Sequence, residues 1–117
     1  MSRCKHTHAG QFQELSRTIV EALGYIQRYI EGFDQSSFLI DKKTQDAVSM
    51  RLQQILECAA KLSQETKEQL KIDWSSLIAM RNKVSHHYID VDPKIIWEVI
   101  QDFDEFKKLI KWAKKNI

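Results

Sequence analysis

Apolar residues recur along the chain at steps of three and four, the spacing that lines one face of an α-helix. The first row predicts a helix over about 11 to 31, which Gly32 is suited to end. The second row follows Asp41, whose carboxylate can accept hydrogen bonds from the free N–H groups of a helix start. Between them, Phe38 and Ile40 are expected to pack back on the core. In order, the two rows are Phe12, Leu15, Ile19, Leu23, Ile26 and Ile30, then Val48, Leu52, Ile55, Ala59 and Leu62.

Aspartate residues also precede two later helices. Asp73 is a predicted cap for a third helix that begins at Trp74. The polar stretch 64–72 before it predicts only a short helical turn or a loop. The pair Asp92-Pro93 predicts the start of a fourth helix, because proline suits the first helical position. Residues expected to face the core are Leu77, Ile78 and Val84 of the third helix, then Ile96, Val99, Ile100, Phe103, Phe106, Leu109 and Ile110 of the fourth.

The elements predicted in this way are all helical. No stretch shows the alternation of a β-strand bounded by turns. Four amphipathic helices with short connections favour an all-α fold, an antiparallel four-helix bundle. Residues 11–117 are predicted to form a single domain, and residues 1–10 a flexible lead-in. The apolar faces of the first and fourth helices are wide enough to suggest a dimer contact as well.

Composition narrows the class of protein. The chain has 117 residues, with three glycines and one proline, which favours long regular elements. It has no apolar run near the roughly 20 residues that cross a bilayer, and no signal-peptide core at its start. We therefore expect a cytoplasmic protein with no membrane partner. The net charge of +2 is not the charge of a general nucleic-acid binder, so local charges would have to bind RNA.

The cysteines and most of the histidines give weak signals. Cys4 and Cys58 do not resemble a disulfide framework, and Cys58 is predicted to be a small buried side chain. Cys4, His6 and His8 could bind a transition metal, but they are three ligands with no fourth in view. We expect no metal and no cofactor.

The stretch 80–88 concentrates an arginine, an asparagine, two histidines and a tyrosine near the end of the third helix. Polar and cationic residues are common at helix C-termini, where they interact favourably with the helix dipole. The spacing Arg81-Asn82-x3-His86-x-Tyr88, followed by Asp92 and Trp97, nevertheless resembles the signature of the HepT branch of the HEPN superfamily.

The resemblance extends upstream of this motif. Residues 41–48 look like the start of that branch's second helix, and Leu52, Ile55, Glu57 and Ala59 fall in a Leu-x-x-Ile-x-Glu-x-Ala segment. Several matched segments in the right order cover about residues 15 to 110. Three positions depart from the pattern: Leu56 replaces a glycine, Cys58 an alanine, and His87 stands where many relatives have glycine.

The resemblance implies a function. HepT-type proteins are similar to metal-independent endoribonuclease toxins, each encoded beside a nucleotidyltransferase antitoxin of the MntA type. The antitoxin transfers AMP to the tyrosine of the motif and silences the toxin. By this resemblance Arg81 and His86 would be catalytic, and Tyr88 would be the AMPylated residue. The implied substrate is RNA, not DNA.

The residue types suit that chemistry independently. A base poised near neutral pH can start attack of a ribose 2′-hydroxyl on its phosphate, and histidine has an ordinary pKa of about 6.5. Arginine matches phosphate oxygens with a planar fork of donors. Asn82 could orient His86 or bind substrate, since residues four apart share a helix face. Arg81 and His86, however, lie about 140° apart around an ideal helix. A homodimer with a shared cleft would resolve this.

Two other functions remain open. The chain could be a non-catalytic, substrate-binding partner subunit of a nucleotidyltransferase, which would need the same surface. It could also be a structural helical dimer whose motif is vestigial.

Overall fold

A computed structural model describes the backbone of residues 2–86 and 92–117, and the side chains of residues 13–83 and 92–117. Within these ranges the chain forms seven helices and no strand, which confirms the predicted all-α class. In chain order they are α1 (Ser2–Tyr29), α2 (Gln35–Phe38), α3 (Lys42–Ala60), α4 (Gln64–Gln69), α5 (Trp74–His86), α6 (Pro93–Asp102) and α7 (Asp104–Lys115).

The core of the bundle is the contact between α1 and α3. Helix α5 packs on α3, α7 packs on α1, and α6 contacts α2 and α3. Fully buried side chains in this core come from the predicted apolar rows, namely Ile19, Ile26, Val48, Leu52, Ile55 and Leu109. Each buried aliphatic side chain of this size contributes roughly 1.5–3 kcal/mol. No helix in the described part of the chain has both the length and the apolar composition to cross a membrane.

The predicted helix boundaries rest on local hydrogen bonds. Asp41 and Asp73 each accept a bond from the backbone N–H three residues on, at 3.1 Å and 3.3 Å. Asp92 accepts one from the N–H two residues on, at 2.9 Å, with proline at the first helical position. After α1, Gly32 has a φ of 82°, a left-handed conformation that glycine adopts without strain. All four boundary predictions are confirmed.

The connection between α1 and α3 contains the short helix α2. Its Phe38 is fully buried, as predicted, with its ring centroid 5.1 Å from that of Trp97. The buried Gln45 of α3 donates a 2.8 Å hydrogen bond from Nε2 to the Phe38 carbonyl oxygen. Ile40, by contrast, is 86% exposed. It lies in the turn that follows α2, and it is Phe38 that occupies the core at this connection. The expectation that Ile40 packs on the core is wrong.

Three further predictions need correction. Helix α1 begins at Ser2 and not near residue 11, since no proline stops it and a single helical glycine costs only about 1 kcal/mol. The fourth helix divides at Phe103, whose backbone is extended (φ −75°, ψ 109°). Helix α7 then begins with Asp104 and Glu105, whose charges favour a helix N-terminus. Ile78 of α5 is 44% exposed and does not face the core.

Candidate functional site

Helix α5 carries Arg81 on a face that it shares with three residues of the preceding two turns. Trp74, Leu77 and Ile78 are seven, four and three positions before Arg81, so all four lie along one side of the helix. Leu77 is buried against α3, whereas Trp74 and Arg81 are half-buried. Arg81 lies at the C-terminal end of this row.

A pocket of about 160 Å³ lies beside this face. Its lining comes from three helices: Leu56 and Ala60 from α3, Lys67 from α4, and Trp74, Leu77, Ile78 and Arg81 from α5. The walls are mainly apolar, and the polar groups that reach the pocket are two cations. Leu56, which departs from the resemblance noted above, is therefore a wall of the pocket that holds Arg81.

The Lys67 and Trp74 side chains are held in place by two hydrogen bonds. The Trp74 indole donates from Nε1 to the Lys67 carbonyl oxygen at 3.0 Å. The Lys67 ammonium donates to the Ala60 carbonyl oxygen at 3.0 Å, at the C-terminus of α3, where a cation is favourable. The same ammonium lies 5.6 Å from the centroid of the Trp74 ring, within the range of a cation–π contact.

Arg81 has no carboxylate partner among the described side chains, whose ion pairs are Lys42 with Asp46 and Lys108 with Glu105. Its side chain makes a long hydrogen bond to the next residue: Nη2 donates to Oδ1 of Asn82 at 3.5 Å. The guanidinium therefore keeps most of its donors for a ligand. Asn82 contacts Arg81 through its amide oxygen, which leaves its amide donors for other groups.

The backbone places His86 on a different side of α5. The helix continues through His86, so Arg81 and His86 stay about 140° apart around its axis, with an axial rise of about 7.5 Å. An end or bend of the helix before His86 could have brought the two residues to one side, but α5 continues through His86. The His86 side chain and all of Tyr88 lie outside the described residues. Their predicted roles stay predictions.

Among the described side chains, the possible metal ligands elsewhere in the bundle do not cluster into a metal site. At the opposite end of α5, hydrogen bonds from the hydroxyls of Ser75 and Ser76 lower the pKa of Asp73. Among the side chains that the structure describes, no group of three histidine, cysteine, aspartate or glutamate residues could hold a metal ion. The Cys4, His6 and His8 string lies outside that part of the chain.

A larger pocket of about 380 Å³ lies between α1 and α3 and includes Glu14, Glu57, Lys61 and Cys58. Burial raises the pKa of the Cys58 thiol, which favours the protonated form over the nucleophilic thiolate. The prediction that Cys58 is buried is confirmed. Of the described residues that were predicted for the site, neither Arg81 nor Asn82 lines this pocket.

The all-helical bundle, with the Arg81 motif at the end of α5, is consistent with the HEPN class of helical proteins. The sequence profile of the family described as "Ribonuclease HepT-like" matches residues 19–113, most of the chain. The chain therefore belongs to the HepT-like ribonuclease family.

Two relatives support this assignment. A Thermococcus cleftensis protein named "Probable ribonuclease HepT" is 32% identical over 85 residues, which are 72% of this chain and 77% of the relative. A Methanocaldococcus jannaschii protein named "Putative RNase" is 33% identical over 85 residues, which are 68% of this chain and 69% of the relative. No solved structure matches the chain.

The pocket partners of Arg81 were not predicted from the sequence. The sequence predicts Trp74 as the start of a helix and places Lys67 in a polar turn or loop. The seven-residue spacing from Trp74 to Arg81 is a signal that could have joined these two residues. No comparable signal joins Lys67 to Arg81, because their position in one pocket depends on how α4 packs.

Proposed function

We propose that this protein is a metal-independent endoribonuclease, acting as the toxin of a toxin–antitoxin pair of type VII. Membership of the HepT-like family supports RNA as the substrate. The observation that carries the proposal is the Arg81 guanidinium, which lies at a pocket without a neutralising carboxylate among the described side chains. A planar cation in that setting suits the oxygens of a phosphodiester.

The proposed reaction is attack of a ribose 2′-oxygen on the adjacent phosphorus. His86 removes the proton from the 2′-hydroxyl as the new O–P bond forms. Arg81 stabilises the negative charge that builds up on the phosphate oxygens. The bond to the 5′-oxygen then breaks, and that oxygen takes a proton from a histidinium. The products are a 2′,3′-cyclic phosphate and a free 5′-hydroxyl, and no oxidant or metal is needed to balance the step.

A homodimer is part of the proposal, because the geometry of α5 argues against a site made from one subunit. With Arg81 and His86 about 140° apart, both side chains cannot easily address one phosphate from a single helix. Around a two-fold axis, Arg81 of one subunit can face His86 of its mate. Two equivalent sites would then lie in one cleft, each with one arginine and one histidine, and the histidine that took the 2′ proton would return it to the leaving oxygen of the same site.

Regulation by a partner completes the proposal. A cognate nucleotidyltransferase of the MntA type would transfer AMP from ATP to the Tyr88 hydroxyl, with release of pyrophosphate. The adduct would add a negative phosphate and a bulky nucleoside to a residue two positions after His86. It would repel the RNA backbone and occupy its space. The proposed location of toxin and antitoxin is the cytoplasm.

The test is incubation of the pure protein with total cellular RNA in excess EDTA. The variants are Arg81→Ala and His86→Ala, with Lys83→Ala as a matched control, since Lys83 is an exposed cation on the same helix. We expect the parent and the Lys83 variant to cut RNA, and the other two to lose at least about a hundredfold in rate, the usual loss for one transition-state donor. If none cuts, or all cut alike, the catalytic proposal fails. The non-catalytic partner of a nucleotidyltransferase then becomes the better description.

A second experiment tests the regulation. The parent and a Tyr88→Phe variant are incubated with the neighbouring nucleotidyltransferase and ATP, and their intact masses are measured. We expect the mass of one AMP on the parent alone, together with loss of its RNA cleavage. A gain of AMP on the Tyr88→Phe variant would place the modification elsewhere.

A further inference from the structure

We propose that the pocket between α3, α4 and α5 binds one nucleobase of the RNA, next to the phosphate held by Arg81. This inference rests on the proposed ribonuclease function and adds a base-binding subsite to it. The pocket is lined by Trp74, Lys67, Ile78 and Arg81, with Leu56 and Ala60 behind them. None of these groups except Arg81 belongs to the motif that suggested catalysis.

The walls of the pocket suit a flat aromatic ring. Leu56, Ala60, Leu77 and Ile78 are apolar, and the Trp74 indole is a wall held in one orientation by its bond to the Lys67 carbonyl. The volume of about 160 Å³ is well below the roughly 300 Å³ at which pockets for whole drug-sized ligands begin. A single ring system fits such a space better than a complete nucleotide does.

The charges of the pocket explain why the ring would belong to a nucleic acid. Among the side chains that the structure describes, its charged lining residues are the cations Lys67 and Arg81, and none of these side chains places a carboxylate in the lining. An apolar pocket with cations at its edge is complementary to a base whose attached backbone is negative. Because Arg81 belongs both to this pocket and to the proposed catalytic pair, a base bound here places a phosphate at the reacting position.

The mouth of the pocket is open to solvent in a single subunit. Ile78 lines the pocket and is 44% exposed, so a large part of its apolar side chain faces water. A ligand that covers Ile78 would remove this apolar surface from water, which is favourable. We propose that a bound base covers Ile78 in this way. A second copy of the chain could cover the same surface instead, and the experiment below distinguishes these two occupants.

The experiment records the indole N–H resonances of Trp74, Trp97 and Trp112 by NMR during titration with adenosine 3′-monophosphate and uridine 3′-monophosphate. Ribose 5-phosphate and inorganic phosphate serve as probes without a base. We expect at least one nucleotide to shift the Trp74 resonance, whereas the two probes without a base leave it in place. The resonances of the other two tryptophans act as internal controls.

Two variants test the location. Ile78→Trp places a large side chain in the mouth of the pocket and should weaken nucleotide binding roughly tenfold or more, the loss of about one stacked base. Ile40→Trp is the matched control, since Ile40 is 86% exposed and does not line the pocket. It should bind nucleotides as the parent does. Circular dichroism of both variants confirms that they fold.

Several results would overturn the inference. Ribose 5-phosphate could shift Trp74 as strongly as the nucleotides do, or Ile78→Trp could bind them with unchanged affinity. The Trp74 resonance could also move with protein concentration and stop responding to nucleotides, which would mean that a second copy fills the pocket. RNA cleavage measured in parallel separates the two proposals. A parent that cuts RNA while Trp74 stays silent refutes the subsite alone. A parent that binds nucleotides at Trp74 but cuts no RNA refutes the ribonuclease and leaves the nucleotide site standing.

Discussion

Mixing two inactive variants should restore RNA cleavage if the site is shared between subunits. The reasoning starts from α5, which stays helical through His86 and keeps Arg81 and His86 on different sides of the helix. In a heterodimer of Arg81→Ala with His86→Ala, one subunit retains the arginine and its mate retains the histidine. One of the two composite sites is then complete. Neither homodimer contains a complete site.

The expected magnitude follows from counting sites. Random reassociation of equal amounts gives about half heterodimers, each with one of two sites intact, so cleavage should recover to about a quarter of the parent rate. The assay unfolds and refolds the mixture, verifies the heterodimer with two affinity tags, and measures initial rates on a fluorogenic RNA. The control pairs Arg81→Ala with a chain that carries both substitutions, since that heterodimer has no arginine and should stay inactive. Verified heterodimers with no activity above the sum of the two homodimers would refute the shared site.

Three other predictions concern stability and reactivity. Gln45→Leu should lower the free energy of unfolding by about 0.5–1.5 kcal/mol in urea, because the Phe38 carbonyl of α2 loses its 2.8 Å donor and keeps the Asp41 N–H at 3.3 Å. Gln53→Leu, which removes a 3.4 Å surface bond, should change it by less than about 0.5 kcal/mol, and an equal loss in both variants would contradict this reasoning. Hydrogen bonds lower the pKa of Asp73 in the folded state, so the stabilisation by its carboxylate is complete above the ordinary value of about 3.9 and is lost as the pH falls through the lowered value. The stability difference between the parent and Asp73→Asn should therefore shrink from about pH 5 to about pH 2, and a difference that grows on acidification would be inconsistent with it. In a Cys4→Ser background, Cys58 should react with iodoacetamide at neutral pH at least about tenfold more slowly in the folded protein than in guanidinium chloride, since burial raises its pKa.

The helix starts could be predicted from sequence because they depend on local chemistry. Asp41, Asp73 and Asp92 each accept a bond from a backbone N–H two or three residues away, so no knowledge of the tertiary fold was needed. The all-α class followed from the apolar rows for a similar reason, since a helical period of buried residues has few other interpretations.

The division at Phe103 could not be predicted in this way. The apolar positions of α6 and α7 continue with helical spacing across it, so the pattern alone favours one long helix. What divides them is packing, since α6 lies against α2 and α3 while α7 lies against α1 and α5. The exposure of Ile78 was missed for a related reason. Its spacing from Trp74 suits an inward face, but it is Leu77 of α5 that packs into the core, and Ile78 lies beside it at the surface.

The candidate site was predicted in part. Sequence resemblance identified Arg81, and helix geometry set its angle to His86. The pocket around Arg81 depends on the short helix α4, which brings Lys67 to Trp74 through contacts between residues seven apart in different helices. No periodic pattern specifies such contacts, because they are fixed by the docking of α4 on the end of α3.

The extended backbone at Phe103 also has an energetic consequence. Because α6 packs on α2 and α3 while α7 packs on α1 and α5, residues 93–115 behave as two separately supported elements. Losses of stability from truncating Ile96 in α6 and Leu109 in α7 should simply add, as they do for sites without shared contacts. Truncations that face each other across α1 and α3 should instead couple, because each relaxes the packing of the other. One extended residue thereby limits how far the loss of packing in α6 can spread into α7, the helix that supports α1.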